Sequence, residues 1–154
     1  MVILMDTREQ AGLDFPAHPW LDAVERATLP VGDYQVRFKD GTIPPVSFER
    51  KSLNDLFGTM TGGYRRFKAE VRRARDLGTH LLVITEAPLG TIYAGTRHSQ
   101  FPGPSMVQKL MTLMVRHRLP VVFCRNREEM ARYILEYFLA CGREYSLERR
   151  QRVR

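Results

Sequence analysis

Two short β-prone runs joined by a turn constrain this chain more than any other feature. Val31–Phe38 and Val46–Lys51 stand on either side of Lys39-Asp40-Gly41, and an Asp-Gly pair between such runs marks a tight reversal. The pattern predicts an antiparallel hairpin. Val2–Met5 predicts a buried strand ahead of it. His80–Thr85 and Pro120–Cys124 are brief apolar runs behind it, each next to stretches of helical period: Tyr64–Leu77, Ser105–Arg118 and Arg127–Cys141. A hairpin followed by strand–helix alternation predicts an α/β chain with a central mixed sheet flanked by helices.

The remaining segments are assigned by local signals. Pro16, Pro19 and Trp20 open a predicted helix reaching about Ala27. Ser52 is a predicted N-cap for a helix through Leu56. Gly58, Gly62 and Gly63 mark a loop, and the Gly- and Pro-rich residues 87–104 another. The expected core is Ile3, Leu4, Val31, Val36, Val46, Phe67, Val71, Leu82, Ile84, Leu110, Met114, Val122 and Ile134. Met130, Ile134, Tyr137, Phe138 and Cys141 form one stripe on the Arg127–Cys141 helix, which Leu135 and Leu139 widen. So apolar a helix either enters the core or forms a subunit interface.

Charge narrows the partners. The 154 residues hold 24 Lys or Arg against 17 Asp or Glu, a net charge of +7, and twenty of the cations are Arg. Residues 65–75 carry Arg65, Arg66, Lys68, Arg72, Arg73 and Arg75 against a single acid, Glu70. Residues 143–154 carry a further net +3, which leaves the rest at −1. Arg suits phosphate oxygens, so a near-neutral body with two basic clusters fits a nucleic-acid partner. On charge alone, a solvated face explains the clusters equally well. In the Tyr64–Leu77 helix, Phe67, Val71 and Ala74 form a docking side, while Arg65, Lys68 and Arg72 form a basic side for display. The two cysteines lack metal or staple spacing, and the four histidines are scattered. No apolar run reaches the length of a membrane-spanning helix, and Met1–Met5 is too short for a secretory signal. The expected location is the cytoplasm or nucleoid, or a nucleus in a eukaryote, without secretion.

The carboxylates fall at predicted strand ends. Asp6 and Glu9 follow the first strand, Asp33 opens the second, and Glu49-Arg50-Lys51 closes the third. Residues two apart on a strand share a face, so Glu49 and Lys51 point together. Hairpin pairing can bring Asp33 to Glu49 around one divalent cation, and oxygen ligands suit Mg²⁺ or Mn²⁺. A metal-ionised water would attack a phosphodiester, and Lys51 would orient that water or steady the developing charge. Charges alternating on a solvent-facing strand would produce the same spacing without any function.

Val31-Gly32-Asp33-Tyr34, then Glu49-Arg50-Lys51-Ser52 and Asp55, resembles the signature of the XPF-type (XPF/Hef/Mus) structure-specific endonuclease domain. Asp6-Thr7-Arg8-Glu9 and Gly63-Tyr64-Arg65-Arg66-Phe67 match it too, and the likeness extends over residues 1–141. It implies a restriction-endonuclease-like (PD-(D/E)XK) three-layer fold and Mg²⁺- or Mn²⁺-dependent cleavage of branched, flap or fork DNA in repair or recombination. It implies metal ligation by Asp33 and Glu49, Lys51 as catalytic lysine, and Asp6, Glu9, Arg50 and Asp55 as supporting members of the catalytic set. Arg50 then either positions a phosphate or pairs with Asp6 or Asp55. DNA contacts are expected from Arg8, Arg65, Arg66, Lys68, Arg72 and Arg73. The resemblance also implies a stand-alone nuclease domain over 1–141 with a basic, frayed tail over 142–154. The helix-hairpin-helix domain of many relatives is missing, so a separate DNA-binding or helicase partner could supply targeting. A homodimer through the C-terminal helices, including Met130, Ile134, Tyr137 and Phe138, is expected. The family often has Gln where this chain has Glu70. Two other readings share these residues: a catalytically silent DNA-binding or scaffold subunit, and a restriction enzyme or resolvase on the same fold.

Overall fold

Strand β4, Val46–Lys51, is the element around which the site is built. A computed structural model describes residues 1–152, with side chains through Tyr145. Six strands form one mixed sheet in the order β2-β1-β3-β4-β5-β6. They are β1 (Val2–Asp6), β2 (Ala23–Ala27), β3 (Tyr34–Arg37), β4, β5 (His80–Thr85) and β6 (Val121–Phe123). The expected hairpin is β3–β4, antiparallel with Tyr34 opposite Phe48. β4, β5 and β6 run parallel, with Glu49 beside Val83 and Lys51 beside Thr85.

Helices cover both faces, which makes three layers. On one face Ile3, Tyr34, Phe48 and Ile84 pack against α5 (Arg127–Arg152). On the other, Leu81 and Val83 pack with α1 (Leu53–Met60), α2 (Tyr64–Asp76) and α4 (Gly103–His117). A strand buried on both faces explains why even Ser47 and Glu49 are enclosed. Of the expected core residues, all are buried except Val71, Met114 and Val122, which are half-buried at its margin.

Four expectations are corrected. The helix predicted to end near Ala27 is instead β2, paired in parallel with β1 from Val2–Ala23 to Asp6–Ala27. Pro16 and Pro19 disfavour helical backbone before them, and β1 offers a free edge. The Met1 amino group reinforces this docking by donating to the Trp20 carbonyl and to Asp22, both at 2.7 Å. The loop expected over 87–104 contains α3, Leu89–Ala94. It abuts the start of α4 so closely that a Cβ on Gly103 would lie 2.0 Å from the Tyr93 carbonyl oxygen. α1 continues past Leu56 to Met60 and takes in Gly58. Finally, α5 runs unbroken through residue 141 to Arg152; residues 153 and 154 lie outside the described residues.

The α5 stripe belongs to the chain's own core. Met130, Ile134 and Phe138 are fully buried against the sheet, and Tyr137 meets the Phe48 ring edge-on at 5.2 Å. The two-sided sheet has a second face to cover, and this stripe covers it. Met130, Ile134 and Phe138 are thus taken up within the chain itself, and Tyr137 stays half-buried at the edge of this packing. Among the described residues no helix is long and apolar enough to cross a membrane.

Candidate active site

The turn into β3 needs glycine at residue 32. Gly32 has φ +72°, and a Cβ there would stand 2.3 Å from Ser47 Oγ and 2.9 Å from the Phe48 carbonyl oxygen. This close approach stitches Asp33 into the sheet. Its N–H donates to the Phe48 carbonyl at 2.7 Å, and its carbonyl accepts from the Asp6 N–H at 2.8 Å. The Asp33 carboxylate then accepts from the Arg50 N–H at 2.7 Å, at the end of β4.

Glu49 and Lys51 share the β4 face toward α1 and α2, and Lys51 Nζ lies 2.5 Å from Glu49 Oε1. The Phe67 ring of α2 lies beneath that ammonium, 6.0 Å from Nζ to centroid. Burial, opposed by the Arg50 N–H and aided by the charges of Glu9 and Glu70, pushes the Asp33 carboxyl up to about 6. Burial, and then the charge of Asp33, pushes Glu49 up to about 8. Burial works against the Lys51 ammonium, yet Glu49 and Asp33 outweigh it and raise its pKa.

This set fits a divalent cation. Two enclosed carboxylates repel one another, and one ammonium does not balance both. Hard oxygen donors suit Mg²⁺ or Mn²⁺, which retain waters in their other positions. Among the described residues no three acidic, His or Cys side chains converge to hold an ion, so Asp33 and Glu49 would be the protein's share of the shell.

The other expected site residues are committed elsewhere. Asp6 is 1% exposed, and its two oxygens accept from Arg8 N, Nε and Nη2 and from Leu29 N. Burial would raise its pKa, but these bonds lower it overall. Arg8 extends into solvent from that pair. Glu9 is held by Arg50 Nε and Nη2 at 2.9 and 3.2 Å and by the Ala11 N–H at 2.7 Å. Arg50 thus pairs with Glu9, and neither Asp6 nor Asp55 is its partner. Asp55 and Ser52 cap α1 reciprocally: the hydroxyl accepts from the Asp55 N–H and donates to its carboxylate at 2.6 Å.

A groove of about 650 Å³ opens beside Lys51 between α1 and α2, with Asp55, the glycine corner, Arg66, Phe67 and Glu70 in its wall. Of the expected DNA-contact residues on α2, Arg66 faces this groove. Arg65, Lys68, Arg72 and Arg73 are exposed elsewhere on the helix, Lys68 over the Tyr64 ring and Arg72 and Arg73 beside a second depression. Helix phase therefore puts Arg66 on the groove side of α2 and Arg65, Lys68 and Arg72 outside the groove.

Two residues at the site escape a sequence reading. Glu70 lines the groove and accepts from the Gly32 N–H at 3.3 Å; its signal was being the lone acid in a basic helix. Lys109 of α4 donates to the Met60 carbonyl and sits over the Tyr64 ring at 4.2 Å, which fastens the α1–α2 corner. Its contacts with Met60 and Tyr64 span 49 and 45 residues, so nothing local announces them.

The chain matches the family model of the ERCC4 domain over residues 5–137. Its fold is similar to the solved structure of XPF from Aeropyrum pernix, with a TM-score of 0.69 and 18% identity over 97% of this chain and 69% of that one. A structure of XPF from Aeropyrum pernix in complex with DNA gives a TM-score of 0.66 and 17% identity over 93% of this chain and 65% of that one. A search of curated protein sequences gives no match. The three-layer architecture is thus the restriction-endonuclease-like fold that the motifs implied.

Proposed function

The chain belongs to the ERCC4-domain family, and from that premise we propose that it is a DNA endonuclease. It hydrolyses phosphodiester bonds at branched, flap or fork DNA with Mg²⁺ or Mn²⁺, in repair or recombination in the cytoplasm or nucleoid. The observation that carries this reading is the pairing of half-buried Asp33 with buried Glu49, with Lys51 against Glu49.

Asp33 and Glu49 would hold the ion, which when bound supplies an ionised water and neutralises phosphate charge. The protein's own groups do the remaining work. The Gly32 turn and the Arg50 N–H fix the Asp33 carboxylate in place. Lys51 retains its proton at neutral pH and offers it as a hydrogen-bond donor where charge develops on the phosphate. Arg66, across the groove, holds a neighbouring phosphate. The Asp6–Arg8 and Glu9–Arg50 pairs hold the strand ends that carry these groups.

The test is cleavage of flap and fork substrates with and without Mg²⁺ or Mn²⁺, comparing the native chain with Asp33→Ala and Lys51→Ala. Metal-dependent cleavage that falls by about 10²–10³-fold in each variant is expected. Equal activity in all three sinks the assignment, and salt-sensitive binding with no cleavage favours a scaffold role.

A further inference from the structure

Glu70 is the one acid among six cations in residues 65–75. Arg66 lies four residues before it and Arg73 three after it, both at spacings that favour helical ion pairs. Even so, among the described residues Glu70 forms no ion pair. Its Oε1 turns toward the sheet and accepts from the Gly32 N–H at 3.3 Å, one residue before Asp33. The same carboxylate lines the groove beside Lys51, and its charge acts on both Asp33 and Glu49.

The consequence is a charge imbalance. The charges of Asp33, Glu49 and Glu70 act on one another, and the cations they act on, Lys51 and Arg8, are already paired with Glu49 and Asp6. Holding the Gly32 N–H needs only an acceptor, which a neutral amide oxygen supplies equally well. A full negative charge at this place adds repulsion that a bound cation would relieve. Because no three such side chains among the described residues converge closely enough to hold an ion, Glu70 acts from outside the inner shell.

We propose that Glu70 is a positioning residue for the divalent cation: it steadies the Gly32–Asp33 turn and lends negative charge that tightens cation binding by Asp33 and Glu49. This rests on the metal-dependent reading above and adds a third participant to it.

The experiment titrates Mn²⁺ by calorimetry into the native chain, Asp33→Asn, Glu70→Gln and Glu70→Ala, with a melting temperature for each. Glu70→Gln keeps the acceptor for Gly32 and removes the charge. Its Mn²⁺ affinity should fall about tenfold, as for other groups that act behind metal ligands, with an unchanged melting temperature. Glu70→Ala should weaken binding at least as much. Native affinity in Glu70→Gln overturns the proposal whatever Glu70→Ala does, because the residue is then at most a tether. If the native chain binds Mn²⁺ no better than Asp33→Asn, the metal site itself fails and the proposal fails with it. Tight native binding lost in Asp33→Asn but kept in Glu70→Gln defeats the Glu70 role alone.

Discussion

Two acid–base pairs meet on β4, one on each face of the strand, and they behave oppositely. Glu9–Arg50 and Glu49–Lys51 are both nearly closed to solvent, with the two glutamates 6% and 8% exposed. Burial alone would raise both carboxyls. Glu9 nevertheless lies below its ordinary value, since a two-pronged guanidinium and the Ala11 N–H outweigh that burial. Glu49 is pushed up to about 8, because burial and the charges of Asp33 and Glu70 together outweigh its single ammonium partner, Lys51. The first pair is internally satisfied and holds the fold. The second is left short of positive charge, which suits a centre that takes up a cation. Adjacent residues Arg50 and Lys51 serve these two ends because a strand sends neighbours to opposite faces.

The largest effects should separate the two pairs. Arg50→Met leaves Glu9 buried without its partner and should cost about 3–5 kcal/mol of stability in urea unfolding. Lys51→Met should change stability by about 1 kcal/mol or less, since Glu49 can take up a proton instead. Equal destabilisation by the two variants would break the comparison.

The pH response sharpens it further. Without metal, Glu49 and Asp33 hold protons in the folded chain that the unfolded chain releases near 4.5 and 3.8. Stability should therefore decline as pH rises from about 4 through about 8. Asp6 and Glu9 act with the opposite sign: their contribution is present above the unfolded carboxyl range and is lost as pH falls through it. At pH 8 in a chelator, Glu49→Gln should exceed the native chain by on the order of 2 kcal/mol, with the gap closing below pH 4.5. Melting curves from pH 3 to 9 test this, and a flat native profile above pH 5 would contradict it.

The smallest effect concerns α2. Arg66→Ala should weaken DNA binding about fivefold, on the order of 1 kcal/mol, and Arg72→Ala less, by fluorescence anisotropy at fixed salt. The reverse order would mean that the outer face of α2, rather than the groove, meets the nucleic acid.

Legibility followed the range of the interactions. β4 and β5 were readable to the residue, because strand alternation and the flanking turn are local. Asp33, Glu49 and Lys51 could be grouped for the same reason, since one hairpin and a two-residue period bring them together. β2 was not readable, because its strand form comes from pairing with β1 rather than from its own residues. The Glu9–Arg50 pair spans 41 positions and the Gly32–Glu70 contact 38, and nothing local announces either. The α5 stripe was ambiguous between core and interface until the sheet presented a second face to cover.

The amino-acid order by itself determined the hairpin, the strand–helix alternation and the shared face of Glu49 and Lys51. All of these follow from backbone sterics and residue spacing. Tertiary structure alone decided which carboxylates would be neutralised and which left in excess. That outcome depends on distances between segments far apart in the chain, and on how completely the packed layers exclude water from each charge.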